Sequence, residues 1–216
     1  MVLRRSCLPV FFLGLIAAPA AFGQAKNSPI AFVNQEAITT SFVATPVFNS
    51  TGSAPPSPSE ALQWLKVEFH YGTTLALKTP YVDAVEFKVW IEGRDLQAPE
   101  ATTREGIAVG LTGSVTYVNI PAGKDIYGVF YVHPSTLGRY SGTRGYEDFD
   151  RKFNIHLEAY VGGALMDAID KNREKDPNWF TQLKAIPNLV YRLDQSPFIL
   201  DNPDHYQEIK LPPATP

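Results

Sequence analysis

The amino-acid sequence predicts an all-β protein, an immunoglobulin-like antiparallel β-sandwich with one or two short helices. Three observations lead to this prediction. Apolar and polar residues alternate with a period of two over several separate stretches, helical periodicity is scarce, and the connections are short and rich in turn-forming residues. With 216 residues, of which 44% are hydrophobic, the chain is long enough to bury one sizeable core.

The first segment, residues 1–23, has the features of a secretory signal peptide. Arg4 and Arg5 precede an uncharged apolar run over residues 8–21, and small residues then permit cleavage after either Ala20 or Gly23. The run is shorter than the roughly 20 residues that a spanning helix needs. We therefore expect an exported protein with no stable transmembrane anchor after cleavage.

Cysteine content indicates the compartment. The only cysteine, Cys7, lies inside the signal segment, so the mature chain has no disulfide. An exported chain without cysteine is more typical of a bacterial envelope than of small secreted animal domains. We expect the periplasm or cell surface of a Gram-negative-type bacterium. The net charge of −3 offers no basic surface for nucleic acid.

Period-two alternation predicts the strands of the mature chain. An extended stretch over 38–48 leads into a polar loop over 49–59, and the clearest strands follow it at 65–71, 85–91, 107–120, 126–132 and 153–161. The turn composition of residues 121–125 predicts that the strands on either side of it form a hairpin. Gly110 and Gly113 indicate a bulge or the close approach of another backbone.

Helical signals occur at two places. Residues 134–140 can form a single turn of helix. Asp176 followed by Pro177 resembles a helix N-terminus, and Trp179 and Leu183 are four residues apart, which predicts a short helix over 177–185. The charged residues 167–176 before it are interpreted as a solvated turn.

These signals divide the chain into four segments. They are the signal peptide (1–23), an N-terminal strand segment with a Ser/Pro-rich loop (24–59), the β-sandwich with its short helix (60–193), and a C-terminal segment packed on the sandwich and ending in a Pro-rich stretch (194–216).

The sequence contains no motif that is typical of an active site. The four histidines, His70, His133, His156 and His205, are far apart and lack the spacing of metal ligands, and those at 70 and 156 are interpreted as solvated. The pairs Asp148/Asp150 and Asp167/Asp170 are interpreted as loop-solvating. No nucleophile motif or phosphate loop occurs. The sequence therefore predicts no catalytic residue, no metal and no cofactor, and a protein that is not an enzyme.

Aromatic residues are the positive peculiarity of the sequence. In the alternating stretches, Trp64, Trp90 and Tyr160 occupy the positions that polar residues share, so each is expected on the polar face of its strand. Exposed, these three would be candidates for contact with a partner or a sugar. The favoured interpretation is that other segments cover them, because residues 197–200 and Tyr206 are apolar and need a surface to pack on.

A resemblance to a known family rests on two regions. Residues 113–120 (Gly-Ser-Val-Thr-Tyr-Val-Asn-Ile) and 127–134 (Tyr-Gly-Val-Phe-Tyr-Val-His-Pro), followed by Leu137, resemble a group of exported verrucomicrobial proteins. The stretches Ser196-Pro197-Phe198 and Asp204-His205-Tyr206-Gln207-Glu208 strengthen the similarity, which spans roughly residues 64–210. The group includes an immunoglobulin-like protein encoded beside type IV pilus machinery.

The resemblance implies an envelope- or fimbria-associated, non-enzymatic protein and supplies no catalytic residue. The chain departs from true pilins, because Gly23-Gln24-Ala25-Lys26 does not lead into a long apolar helix. The leading hypothesis is a structural or interaction protein whose partners are envelope or pilus proteins, or further copies of itself. The alternative is a carbohydrate-binding module that uses exposed aromatic residues.

Overall fold

A computed structural model describes residues 28–34, 36–46, 62–74, 80–101, 106–141, 153–173, 176, 178–201 and 204–211. In chain order its strands are β1 (Ile30–Phe32), β2 (Ile38–Ala44), β3 (Gln63–Thr73), β4 (Tyr81–Asp95), β5 (Ile107–Pro121), β6 (Gly123–Val132), β7 (Ile155–Val161), β8 (Ala164–Lys171), β9 (Lys184–Pro187) and β10 (Val190–Arg192). The helix α1 (Pro134–Tyr140) follows β6.

The strands form two five-stranded sheets. In the first sheet β1 and β2 lie one after the other along one edge of β3, and β6 and β10 follow on its other side. The second sheet has the order β8-β7-β4-β5-β9. All pairs are antiparallel except β5 with β9. The predicted all-β sandwich is confirmed.

The core lies between the two sheets and is built from the apolar positions of the alternating stretches. Phe69 of β3 and Phe87 of β4 are fully buried, and their ring centroids are 4.7 Å apart. Phe130 of β6 lies 5.7 Å from Phe69 and extends the same aromatic layer. Each fully buried side chain of this size contributes about 2–3 kcal/mol relative to exposure, so this layer is a main source of stability.

The predicted hairpin over 107–132 is wrong. β5 belongs to the second sheet and β6 to the first, so residues 121–123 carry the chain across the sandwich. Thr73 holds this corner, since its hydroxyl donates to the carbonyl of Pro121 and accepts from the N–H of Gly123, both at 2.9 Å. The two strands show the same alternation because they face one core from opposite sides.

The short helix predicted over 177–185 is found only in part, as a four-residue 3₁₀ helix, whereas the helical residues 134–140 are confirmed as α1. A four-residue 3₁₀ turn, Trp179–Gln182, is followed at once by β9. Pairing of β9 with Val109–Thr112 of β5 replaces the hydrogen bonds that a helix would have made. The local helical propensity of these residues is weak, and pairing with the open edge of β5 outweighs it.

Part of the predicted solvated turn over 167–176 is the strand β8. Asp167 is buried there, and its Oδ2 accepts a hydrogen bond of 2.8 Å from the N–H of Phe32 in β1. Lys171 donates to the carbonyl of Ile38 at 3.1 Å. The charged side chains of β8 thus join the two sheets along one side of the sandwich instead of facing water.

Two glycines fit where a side chain would not. A Cβ on Gly113 would lie 2.4 Å from the carbonyl oxygen of Val190, which confirms the predicted close approach of another backbone. A Cβ on Gly128 would lie 2.1 Å from Cζ of Phe69, its cross-strand partner. The ring of Phe69 therefore lies directly over the Gly128 backbone.

Replacing Gly128 by valine is expected to lower the free energy of unfolding by about 1–3 kcal/mol or more, because the Phe69 ring must leave its place in the core. Denaturant titration of both proteins measures the change. The control is Gly138→Ala in α1, where a Cβ meets nothing within 4 Å. Alanine there should raise stability by about 0.5–1 kcal/mol through helix propensity. Equal stability of the valine variant and the parent would contradict the packing described.

Candidate interaction surfaces

The C-terminal tail, residues 196–201 and 204–211, lies on the outer face of the first sheet. Phe198 is buried, stacks on Tyr131 at 4.6 Å with an interplanar angle of 10°, and meets Trp64 edge-on at 5.7 Å. Trp64 is only 7% exposed, and its Nε1 donates to the hydroxyl of Thr45 at 3.0 Å. The tail thus gives the sandwich a second, smaller apolar cluster outside the core.

Glu68 of β3 is the polar anchor of the tail. Its carboxylate accepts a hydrogen bond of 2.5 Å from the hydroxyl of Tyr206 and forms an ion pair with Nζ of Lys66 at 2.6 Å. Nε2 of His205 lies 3.8 Å from the same carboxylate. Burial alone would raise the pKa of Glu68, but the hydrogen bonds from Lys66 and Tyr206 outweigh it and the pKa lies below its ordinary value. Glu68 therefore holds the tail as a carboxylate.

Three stacked rings continue this surface. His70 lies parallel to Tyr127 with ring centroids 4.5 Å apart, and His205 of the tail stacks on Tyr127 at 4.7 Å. Nε2 of His70 is also 3.4 Å from Oδ1 of Asp125. Tyr127 is thus held between one imidazole of the sandwich and one of the tail.

The tail also pairs with both sheets. Val118 of β5 donates from its N–H to the carbonyl of Glu208 at 2.9 Å, and Lys210 donates to the carbonyl of Thr116 at 2.8 Å, while Tyr206 forms a parallel bridge with Tyr127 of β6. β9 covers β5 only at Val109–Thr112, and β10 covers β6 only at Phe130–Val132. The tail therefore fills the edges that these two short strands leave open.

The outer face of the second sheet carries a buried histidine, His156, with two carboxylates. Nδ1 of His156 is 2.9 Å from Oδ1 of Asp170, and Nε2 is 3.4 Å from Oε1 of Glu158. Phe180 stacks on the imidazole at 3.6 Å, and Nε1 of Trp179 donates to Asp170 at 2.8 Å. His156 is only 4% exposed, so its interpretation as a solvated histidine is wrong.

Asp170 and Asp167 do not solvate a loop either. Asp170 contacts Nδ1 of His156 and accepts a hydrogen bond from Nε1 of Trp179, and Asp167 accepts one from the N–H of Phe32, so both carboxylates are used inside the fold. The signal that could have found His156 is the alternation His156–Glu158–Tyr160, which places three polar groups on one face of β7.

The charges of this cluster support each other. Burial lowers the pKa of His156, but the hydrogen bonds with Asp170 and Glu158 outweigh burial, so the pKa lies above its ordinary value of 6.5. Burial raises the pKa of Glu158, but the hydrogen bonds from His156 and Tyr160 have the larger, opposite effect. The pKa of Glu158 therefore lies below its ordinary value of 4.5. The contacts therefore favour the imidazolium form of His156 and the carboxylate form of Glu158.

This arrangement predicts how stability depends on pH. The contribution of His156 is fully present below pH 6.5 and is lost as pH rises through its raised folded pKa. The contribution of Glu158 is present above pH 4.5 and is lost as pH falls through its lowered folded pKa. We expect both contributions to be complete between these two values. Unfolding titrations across pH should show that His156→Gln flattens the alkaline decline, and parallel curves for both proteins would contradict this.

The three aromatic residues singled out in the sequence do not share one surface. Trp64 lies on the outer face of the first sheet under the tail. Trp90 lies on the outer face of the second sheet, with its ring centroid 5.0 Å from that of Phe180. Tyr160 lies on the same outer face, donates to Glu158 at 2.7 Å and has Lys88 Nζ 4.3 Å from its ring centroid. A sugar would have to displace Phe198 to reach the ring of Trp64.

Exposed apolar side chains are found beside the tail cluster. Leu62, two residues before Trp64 in the chain, is 64% exposed, and Leu200, two residues after Phe198, is 70% exposed. Within the described residues, no three or more His, Cys, Asp or Glu side chains are placed to hold a metal ion. In the same part of the chain, no helix combines the length and hydropathy required to cross a bilayer.

Comparison with known proteins gives two matches. A crystal structure from Akkermansia muciniphila is similar to this chain with a TM-score of 0.65 and 22% identity, over 85% of this chain and 93% of that chain, which supports the fold. No curated protein sequence matches. A protein-family model matches residues 24–212, from the expected signal cleavage site through the tail, and the chain therefore belongs to the family that this model describes.

Proposed function

We propose that the protein is a non-enzymatic structural or interaction protein of the cell envelope that acts in type IV pilus or fimbrial assembly. The observation that carries the proposal is the tail-covered face of the first sheet. There the chain encloses its own aromatic residues yet leaves exposed Leu62, which lies two residues before Trp64, and Ile199 and Leu200, which follow Phe198 directly. Apolar groups beside a rigid aromatic cluster are typical of protein contact surfaces.

Export supports the same proposal. The signal segment over residues 1–23 would deliver the chain to the periplasm or cell surface, where pilus proteins assemble. N-terminal sequencing of the envelope form should find a start after Ala20 or Gly23. Material that still begins at Met1 would contradict export with cleavage.

The function is tested by co-sedimentation with sheared fimbriae. The parent protein, detected by antibody, should sediment with fimbriae of the producing bacterium and stay in the supernatant when the pilus machinery is deleted. Leu200→Asp should weaken sedimentation strongly, because it places a charge in the apolar contact. The matched control is Gln182→Asp, at an exposed position of the second sheet's outer face. Sedimentation that does not depend on pili, or equal behaviour of both variants, would contradict the proposal.

A further inference from the structure

We propose that the β5–β6 side of the sandwich is a strand-acceptor site, which residues 204–211 of the same chain fill in the isolated protein and residues 204–211 of a second copy fill in an assembly. Residues 204–211 are called the tail strand below. The proposal rests on the proposed function in one respect, because an assembly supplies the crowding that exchange needs.

The acceptor site is defined by backbone that β9 and β10 leave uncovered. β4 occupies one edge of β5 over its whole length, and β3 does the same for β6, so among the described strands the tail strand can pair with β5 and β6 at their opposite edges. The tail strand closes both of them, at Thr116–Val118 and at Tyr127. The site therefore accepts an extended peptide through main-chain hydrogen bonds, as in strand addition.

Side-chain contacts specify which peptide fits. Tyr206 donates to Glu68, Ile209 lies opposite Tyr117, and Glu208 accepts from Nδ2 of Asn119 at 3.2 Å. The occupant needs an aromatic hydroxyl, an acid and an aliphatic residue at these spacings. A second copy of this chain carries all three in the correct order, which is why we commit to it.

The connection to the rest of the chain suits exchange. Phe198 is fixed in the aromatic cluster, while Ile199, Leu200 and Asp201, which follow it, are exposed. Two of these exposed residues are large and apolar, and a second copy that exchanges its tail strand would pass over them. Local opening of a strand held by two main-chain hydrogen bonds to β5 does not require global unfolding.

Mass action decides where exchange occurs. A short tether holds the tail strand at an effective concentration of about 1 mM, so the isolated protein keeps its own strand in dilute solution. Reciprocal exchange between two copies remakes every contact and can additionally cover Ile199 and Leu200. Exchange should therefore rise steeply as the protein concentration approaches that of the tether.

Engineered disulfides test the proposal with purified full-length protein in a Cys7→Ser background. Thr116 and Lys210 are opposite each other in the antiparallel register. When single variants Thr116→Cys and Lys210→Cys are mixed at about 1 mM and oxidised, a disulfide-linked heterodimer should exceed by about tenfold that from Glu100→Cys mixed with Lys210→Cys. Glu100 is exposed and lies in the connection between β4 and β5, outside the acceptor site.

Further variants make the result decisive. The double variant Thr116→Cys/Lys210→Cys should form an internal disulfide in dilute solution, and its failure to do so would overturn the register on which the site rests. Adding Ile199→Ser and Leu200→Ser should lower the heterodimer yield. Heterodimer yields equal to the Glu100 control at every concentration would overturn exchange. Because no fimbriae are present, this outcome is independent of the co-sedimentation test.

Discussion

Replacing Phe198 by alanine is expected to lower the free energy of unfolding by about 3–5 kcal/mol, which is one of the largest losses that a single truncation can cause. Phe198 is 3% exposed and is held between Tyr131 and Trp64. Its removal leaves a cavity in the aromatic cluster and weakens the attachment of the tail. Since domains are stable by only about 5–15 kcal/mol, the unfolding midpoint in denaturant should fall clearly.

The matched control for Phe198 lies two residues away. Leu200→Ala removes an exposed side chain of similar apolar character and should change the free energy of unfolding by less than about 0.5 kcal/mol. A fall of similar size in both variants would mean that the tail contributes through its composition and not through the contacts of Phe198. An unchanged midpoint for Phe198→Ala would contradict the burial of this residue.

Replacing Asp170 by alanine is expected to cost about 3–5 kcal/mol, because the change breaks a buried ion pair from one side. The Nδ1 of His156 and the indole N–H of Trp179 both lose their acceptor. The 3₁₀ turn that carries Trp179 and Phe180 should then loosen over the second sheet. Denaturant titration near pH 6 measures the loss.

Two comparisons identify the cause of the Asp170 effect. Asp170→Asn keeps one acceptor and should recover part of the stability, whereas Asp83→Ala at an exposed position should change little. The loss should be larger near pH 6 than at alkaline pH, because a carboxylate stabilises the charged imidazolium of His156 more than it stabilises the neutral ring. A loss that does not vary with pH would indicate packing alone.

Alternation in the sequence predicted the buried faces well and the sheet partners poorly. The apolar positions of β3 and β4 are buried as their period requires, because side-chain direction along a strand is a local property. Which sheet a strand joins is not local. The crossing at Pro121–Gly123 and the pairing of β9 with β5 depend on contacts far apart in the chain, so the predicted hairpin is wrong and the predicted short helix is found only at Trp179–Gln182.

The site could be predicted only in part for a related reason. The parity of Trp64 correctly placed it on the outer face of its strand, and the apolar stretch 197–200 signalled a segment that needs a surface. Neither observation could tell that Phe198 faces Trp64 while Leu200 faces water. His156 was harder still, since its burial depends on Phe180, which stacks on it from another element.

Closure of both sheets by the tail strand has a consequence for the order in which the chain folds. Tyr117 pairs with Ile209, so the contact that completes β5 joins residues that are far apart in the sequence. Synthesis proceeds from the N-terminus at about 5–20 residues per second, and β5 and β6 emerge several seconds before their last partner. Throughout that interval their edges are open to other chains. β5 and β6 therefore keep incomplete edges until residues 206–210 have emerged, so early folding of the sandwich has to proceed without these contacts.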